Sequence, residues 1–148
     1  MTANRFLDLN LALAFYNVGA IWAHEIDVFR TWKLVGQAEF HNVQRTHFRK
    51  LPYWIFAPVL LAIAGSVVLL RYQPIGSPKW CAGTALGLQL LSAVLTAATW
   101  GQWQARLAKD PLGPASPYLD SILHTHWVRT LLINAYAGVL LYWVLQQG

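Results

Sequence analysis

The sequence predicts an all-α integral membrane protein, a bundle of four transmembrane helices with an amphipathic helix in the first connection. Three observations carry that prediction. Of the 148 residues, 56% are hydrophobic and 11% are charged, under half the roughly 25% charged residues of a soluble domain. Four apolar stretches reach the roughly 20 residues that a helix needs to cross a hydrocarbon core about 30 Å thick. Lys and Arg gather near the ends of those stretches, where they set membrane topology. Disorder is excluded by the composition, and a disulfide scaffold by the presence of a single cysteine, Cys81.

The first span covers residues 6 to 28. Asp8 and Asn10 interrupt it where a cleavable signal peptide would need an unbroken apolar run. Asn10, Asn17 and His24 recur every seven residues and so share one stripe, and a polar stripe on a membrane helix faces the bundle interior. The connection of residues 29 to 52 is too long for a turn. Within it Phe40, Val43, His47 and Leu51 recur at helical spacing, while Glu39, His41, Arg45, Arg49 and Lys50 fall elsewhere. That is the pattern of an amphipathic helix lying at the membrane surface.

The second span, residues 53 to 70, carries no charged side chain. Pro58, near its start, either kinks the helix or marks where regular helix begins. Residues 72 to 79 (Tyr-Gln-Pro-Ile-Gly-Ser-Pro-Lys) form a tight turn, which makes spans two and three antiparallel neighbours. The third span, residues 80 to 100, contains Gly83 and Gly87, either a G-x-x-x-G contact that lets another helix approach closely or two incidental glycines. Residues 102 to 118 include Pro111, Gly113, Pro114 and Pro117, an irregular cap before the fourth span, residues 122 to 145.

A net charge of +5 would point to nucleic acid in a soluble chain, but here the Lys and Arg residues flank apolar segments, so no nucleic-acid partner is expected. Arg30, Lys33, Arg45, Arg49, Lys50, Arg106 and Lys109 fall in the two long connections, against Arg5, Arg71 and Lys79 on the other side. The positive-inside tendency then puts both long connections in the cytoplasm and both termini outside it, as in a bacterial inner membrane.

Antiparallel packing of four spans brings all five histidines to the side of the long connections. Arg129 is about two turns inside span four, roughly 10 Å deep, and an arginine at that depth needs a partner. Glu25 is the first candidate and Asp27 the second. Their pairing is either glue between spans one and four or part of a site. His126 shares a stripe with Arg129, Thr130 and Ile133 whereas His124 projects to the opposite side, so His126 ranks above His124 as an interior residue, and His47 above His41.

Two chemistries suit these residues. In one, Glu25, His24, His47 and His126 hold a mononuclear iron, copper or zinc ion, although no compact motif such as H-E-x-x-H is present. In the other no metal is bound and His126 or His47 is a general base in an apolar pocket, with Arg129, Trp127 and Gln102 or Gln104 placing the substrate.

The run Trp100-Gly101-Gln102-Trp103-Gln104-Ala105-Arg106-Leu107, followed after the cap by Thr125-His126-Trp127-Val128-Arg129-Thr130, resembles the anthrone oxygenase-like family of small four-helix membrane proteins. In that family a W-x-x-x-Q-A-R-L-like end of helix three precedes an H/N-W-x-R-T start of helix four. Glu25 and the segment from Glu39 and Phe40 to His47 are also similar to bacterial relatives. The resemblance implies an enzyme that oxidises a flat polycyclic or quinone-like molecule. His126 or His47 would take the acidic benzylic proton of an anthrone, the carbanion would react with O2, and Arg129 would stabilise the oxyanion. Trp100, Trp103 and Trp127 would wall the pocket, although an interfacial aromatic belt would supply the same residues.

The sequence therefore leads to a membrane oxidoreductase or oxygenase whose partners are membrane lipid and a hydrophobic small molecule, with a homo-oligomer or a larger membrane complex left open. Two alternatives remain beside it. One is a non-catalytic structural membrane subunit in which Arg129 and Glu25 only lock helices together. The other is a metal- or haem-binding electron-transfer protein, with His24 and His126 as the axial pair to test.

Overall fold

The computed structural model describes residues 3–147. Four continuous helices, α1 (Ala3–Trp32), α2 (Gln37–Arg71), α3 (Lys79–Leu107) and α4 (Pro117–Leu145), are each long and apolar enough to cross a membrane. There is no β-strand among the described residues. Each helix packs against its neighbours in sequence, and α4 closes the ring against α1. The result is an antiparallel four-helix membrane bundle.

The helices have 29 to 35 residues, so at 1.5 Å per residue they run about 43 to 52 Å, well beyond a hydrocarbon core of about 30 Å. Their excess lies at one end. Residues 29–32, 37–52, 101–107 and 117–121 lie outside the apolar stretches and all belong to the end that carries the long connections. There Phe29, Trp32, Phe40, Leu107, Leu119 and Ile122 form a small core of their own. The main core lies deeper and is rich in small residues, Ala14, Ala62, Ala82, Ala85 and Ala137, beside Leu7, Leu69, Tyr136, Leu140 and Trp143. Small side chains let membrane helices approach closely enough for dispersion contacts to hold them, because lipid tails leave little hydrophobic drive between helices.

The expected amphipathic helix of the first connection is present. Residues Gln37–Leu51 are helical, but the helix continues without a break into the second span, so the segment is the projecting end of α2. Pro52 does not stop it, because Pro52–Phe56 forms a π turn closed by the Ala57 N–H on the Pro52 carbonyl. Regular α-helix then resumes at Ala57. Pro58 still has no N–H to give the Trp54 carbonyl four residues back, and the Tyr16 hydroxyl of α1 donates to that carbonyl at 3.1 Å instead. Along the projecting end Phe40 and Gln44 are buried, whereas Val43, expected on the inner stripe, is exposed.

Of the two readings of the glycine pair, no close helix contact is made there within the chain. A Cβ at Gly83 or Gly87 would meet nothing within 4 Å, so the pair lies on an open face. Close approach occurs at Gly65, where a Cβ would stand 2.9 Å from Asn10 Oδ1 and 3.1 Å from its Cγ. The Asn10 amide lies 3.2 Å from both the Ser66 and the Tyr136 hydroxyl oxygens, so a buried polar knot ties α1, α2 and α4 together. With the amide nitrogen turned toward Tyr136 it also donates to the Ala62 carbonyl, which satisfies both ends of the group.

Most of each connection expected to be long is helical, so that only residues 33–36, 72–78 and 108–116 link the four helices. Trp143 Nε1 donates to Ser77 Oγ at 2.7 Å and pins the α2–α3 turn to α4. Ser116 caps α4, its Oγ accepting from the Tyr118 N–H and donating to Asp110 Oδ2 at 2.6 Å, with Pro117 at the first helical position. Between α3 and α4 the irregular cap contains one 3₁₀ turn, Gly113–Ala115.

Candidate functional site

Three of the four helices carry one five-residue π turn, His24–Val28 in α1, Pro52–Phe56 in α2 and Thr96–Trp100 in α3. All three lie at the end of the bundle that bears the long connections. A π turn widens a helix locally and re-aims the side chains it contains, which is why such turns collect at functional sites. Here they supply His24, Glu25, Thr96 and Trp100, while the unbroken α4 supplies His126 and Arg129.

His126 is 1% exposed and lies between two charged groups. Arg129 Nη2 is 2.5 Å from His126 Nε2, and His126 Nδ1 is 2.8 Å from Glu25 Oε2. A guanidinium can only donate, so Nε2 must accept, and the ring proton sits on Nδ1, which donates to the Glu25 carboxylate. Arg129 also donates to Thr96 Oγ1 at 3.4 Å, and its guanidinium lies 5.4 Å from the Trp100 ring centroid. At the outer end Arg30 Nη2 stands 3.5 Å from Glu25 Oε1. The expected Glu25–Arg129 contact is thus indirect, with His126 between carboxylate and guanidinium. The charges compensate each other in a largely buried setting where an isolated one would be costly.

His24 has a different role. Its Nδ1 is 2.7 Å from the Ala20 carbonyl, which can only accept, so the proton sits on Nδ1 and the Nε2 lone pair is left free. Nε2 is buried and has no hydrogen-bond partner, and the same holds for His47 Nε2. The two rings meet edge-on at 5.2 Å between centroids. Both line a cavity of about 440 Å³ between α1 and α2, whose other walls include Tyr16, Lys50, Leu51 and Trp54. Tyr16 and Trp54 are 42% and 63% exposed, so the cavity opens through the flank of the bundle.

The residues expected to form one pocket are therefore divided. His24 and His47 line the cavity, whereas His126 and Arg129 do not; His126 is buried and Arg129 partly so. Of the expected substrate contacts, Trp100 is buried and donates to Thr125 Oγ1 at 2.9 Å. Trp103 packs against the outer core. Gln102 and Trp127 point outward, Gln104 is half-buried, and none of the five lines the cavity. His126 is interior and His124 exposed, in line with their ranking.

Among the described residues no group of three or more His, Cys, Asp or Glu side chains is gathered as a metal site. The donors Glu25, His24, His47 and His126 do not fit one, since both ring nitrogens of His126 and Nδ1 of His24 are already engaged. An axial His24–His126 pair fits no better, because Phe29 packs edge-on against both rings.

Sequence reasoning missed Tyr16, Lys50, Trp54 and Thr96. Pro58 was the available signal for Tyr16, since it leaves the Trp54 carbonyl in need of a donor. No family model, curated protein or solved structure matches the chain. Fold and site together define the class, a small four-span membrane protein with a buried carboxylate–imidazole–guanidinium chain beside a histidine-lined lateral cavity.

Proposed function

We propose that this protein is a membrane oxidoreductase or oxygenase that takes a flat, hydrophobic aromatic or quinone-like molecule from the bilayer into the α1–α2 cavity. The observation that carries the reading is the pair His24 and His47 in the wall of a cavity open on the bundle's flank, each with a buried Nε2 that has no hydrogen-bond partner. His24, its proton held on Nδ1 by the Ala20 carbonyl, is the base, and His47 packs edge-on against it in the same wall. Lys50, at the wall, takes the oxyanion role that sequence reasoning gave to Arg129. Glu25, His126 and Arg129 are positioning residues that fix the π turn bearing His24.

The resemblance to anthrone oxygenase-like proteins supports a reaction of matching balance. An anthrone methylene gives one proton to His24, the carbanion adds O2, and the hydroperoxide loses water. The methylene becomes a carbonyl, one oxygen of O2 is retained and the other leaves as water. On this reading the projecting helix ends lie in the cytoplasm of a bacterial inner membrane and both termini lie outside it.

The test is oxygen uptake and quinone formation from an anthrone by the full chain in nanodiscs. His24→Ala should lower the rate by about 100-fold or more, the range of general-base catalysis, while Trp127→Ala leaves it unchanged. Equal rates in wild type and His24→Ala would overturn the reading. A structural subunit is the second reading, favoured by the Glu25–His126–Arg129 chain, which joins α1 to α4 outside the cavity lining, and it predicts no turnover with any anthrone or quinol.

A further inference from the structure

A second concavity lies on the projecting end of α2, away from the histidine-lined cavity. It measures about 330 Å³ and is lined by His41, Gln44, Arg45, Phe48, Arg49 and, from beyond the end of α3, Ala108. We infer that this groove is a binding site for a phosphate-bearing ligand.

The groove presents donors. Arg45 and Arg49 are four residues apart on one helix, an arrangement that destabilises a helix unless something anionic lies across it. Neither guanidinium has a carboxylate partner among the described residues, where the ion pairs are Arg30–Glu25, Lys33–Asp120 and His126–Glu25. Gln44 is 1% exposed, and its Nε2 is buried without a hydrogen-bond partner. The Nδ1 of His41 is likewise buried and unpartnered. A buried amide nitrogen left without an acceptor is costly, and a turn of the Gln44 side chain toward the groove it lines would let a bound anion supply one. The nearby Asp110 carboxylate is occupied by the Ser116 hydroxyl and the Leu112 N–H. Two guanidinium forks and an amide donor suit the several oxygens of a phosphoryl group, which can accept bidentate bonds.

Depth indicates where the phosphate comes from. Arg49 is one helical turn before Tyr53, where the apolar span begins, and Tyr53 and Trp54 are 78% and 63% exposed. Exposed aromatic residues at the end of an apolar span mark the headgroup level, and basic residues just outside a span attract anionic lipid. Phe48 in the wall gives the groove an apolar side for the ester portion of such a lipid. A soluble phosphate would use the same donors and leave Phe48 unused.

The experiment is a titration of the detergent-purified full chain, followed by native mass spectrometry for stoichiometry and tryptophan fluorescence for affinity. The ligands are short-chain phosphatidylglycerol, inorganic phosphate and, as a control anion, chloride. The variants are Arg45→Gln with Arg49→Gln, Gln44→Met, and a charge-matched control, Arg5→Gln with Arg71→Gln. We expect one phosphatidylglycerol per chain, weakened about tenfold or more by the groove arginine variant, the loss that follows from removing charge-assisted hydrogen bonds. Gln44→Met should also weaken it, and the control variant should not. Saturable binding of inorganic phosphate with equal affinity and the same variant response would support the site and assign it to soluble phosphate. Binding that fails to saturate at one per chain, or that falls equally in the groove and control variants, would overturn the inference. Circular dichroism at each variant's binding temperature separates a lost site from a lost fold.

Discussion

Replacing Glu25 by Gln removes the one carboxylate in the chain that ends at Arg129. The guanidinium would then be held by Thr96, the His126 ring and the face of Trp100, none of which carries a compensating charge. Breaking a buried ion pair by deleting one partner costs about 3–5 kcal/mol when the contact is direct and dry. Here an imidazole intervenes and the Glu25 side chain is 12% exposed, so the expected cost is lower, about 2–3 kcal/mol. Arg129→Met should cost less than Glu25→Gln, because the stranded carboxylate keeps Arg30 at 3.5 Å and contact with the surface. The two changes together should cost no more than Glu25→Gln alone, a coupling of about 1–2 kcal/mol. The assay is a double-mutant cycle of unfolding free energies from SDS titration in mixed micelles, read by helicity. Additivity of the two single changes within about 0.5 kcal/mol would refute the claim that Glu25 and Arg129 communicate through His126.

Other outcomes follow from the packing. Gly65→Ala forces a Cβ against the buried Asn10 amide and should lower stability by about 1–3 kcal/mol, while Gly83→Ala and Gly87→Ala, which meet nothing within 4 Å, should be neutral in the same titration. Tyr16→Phe removes the donor to the Trp54 carbonyl and should cost about 1 kcal/mol, with faster amide hydrogen exchange around Pro58. The Ser116 hydroxyl and the Leu112 N–H hold the Asp110 carboxyl below its ordinary value of 3.8. Its folded form therefore binds a proton less readily than its unfolded form, so the cap's stabilisation is complete above pH about 4 and is lost as pH falls through the lower folded value. Asp110→Asn should flatten that acid limb in a thermal melt recorded against pH.

The four spans were legible because burying a backbone in lipid forces long apolar helices, and nothing else in this composition provides them. The heptad stripe was legible for the same reason, with Asn10 and Asn17 buried and His24 at the cavity. His126 separated from His124 because a two-residue step on a helix turns a side chain to the far face. What failed depended on partners distant in sequence or on local departures from α-geometry. The amphipathic helix at residues 37–51 was legible from its pattern, but its continuity with the second span was not, because Pro52 sits at the start of a π turn inside the helix. Gly83 and Gly87 have the spacing of a contact but lie on the open face, a matter of how α3 is rotated about its axis, which spacing leaves free. Three π turns shift the register of three helices by one residue each, which regular helical spacing does not reveal, while His126 meets Arg129 one turn on along the unbroken α4.

Nitrogen-15 NMR of histidine-labelled protein in nanodiscs, recorded anaerobically with and without an anthrone, tests the assignment of His24 as the open base. The account predicts a His24 ring protonated at Nδ1, with an unprotonated Nε2 resonance that moves when the anthrone is added, and a His126 Nε2 that stays where it was. A shift at His126 with His24 and His47 unchanged would contradict it.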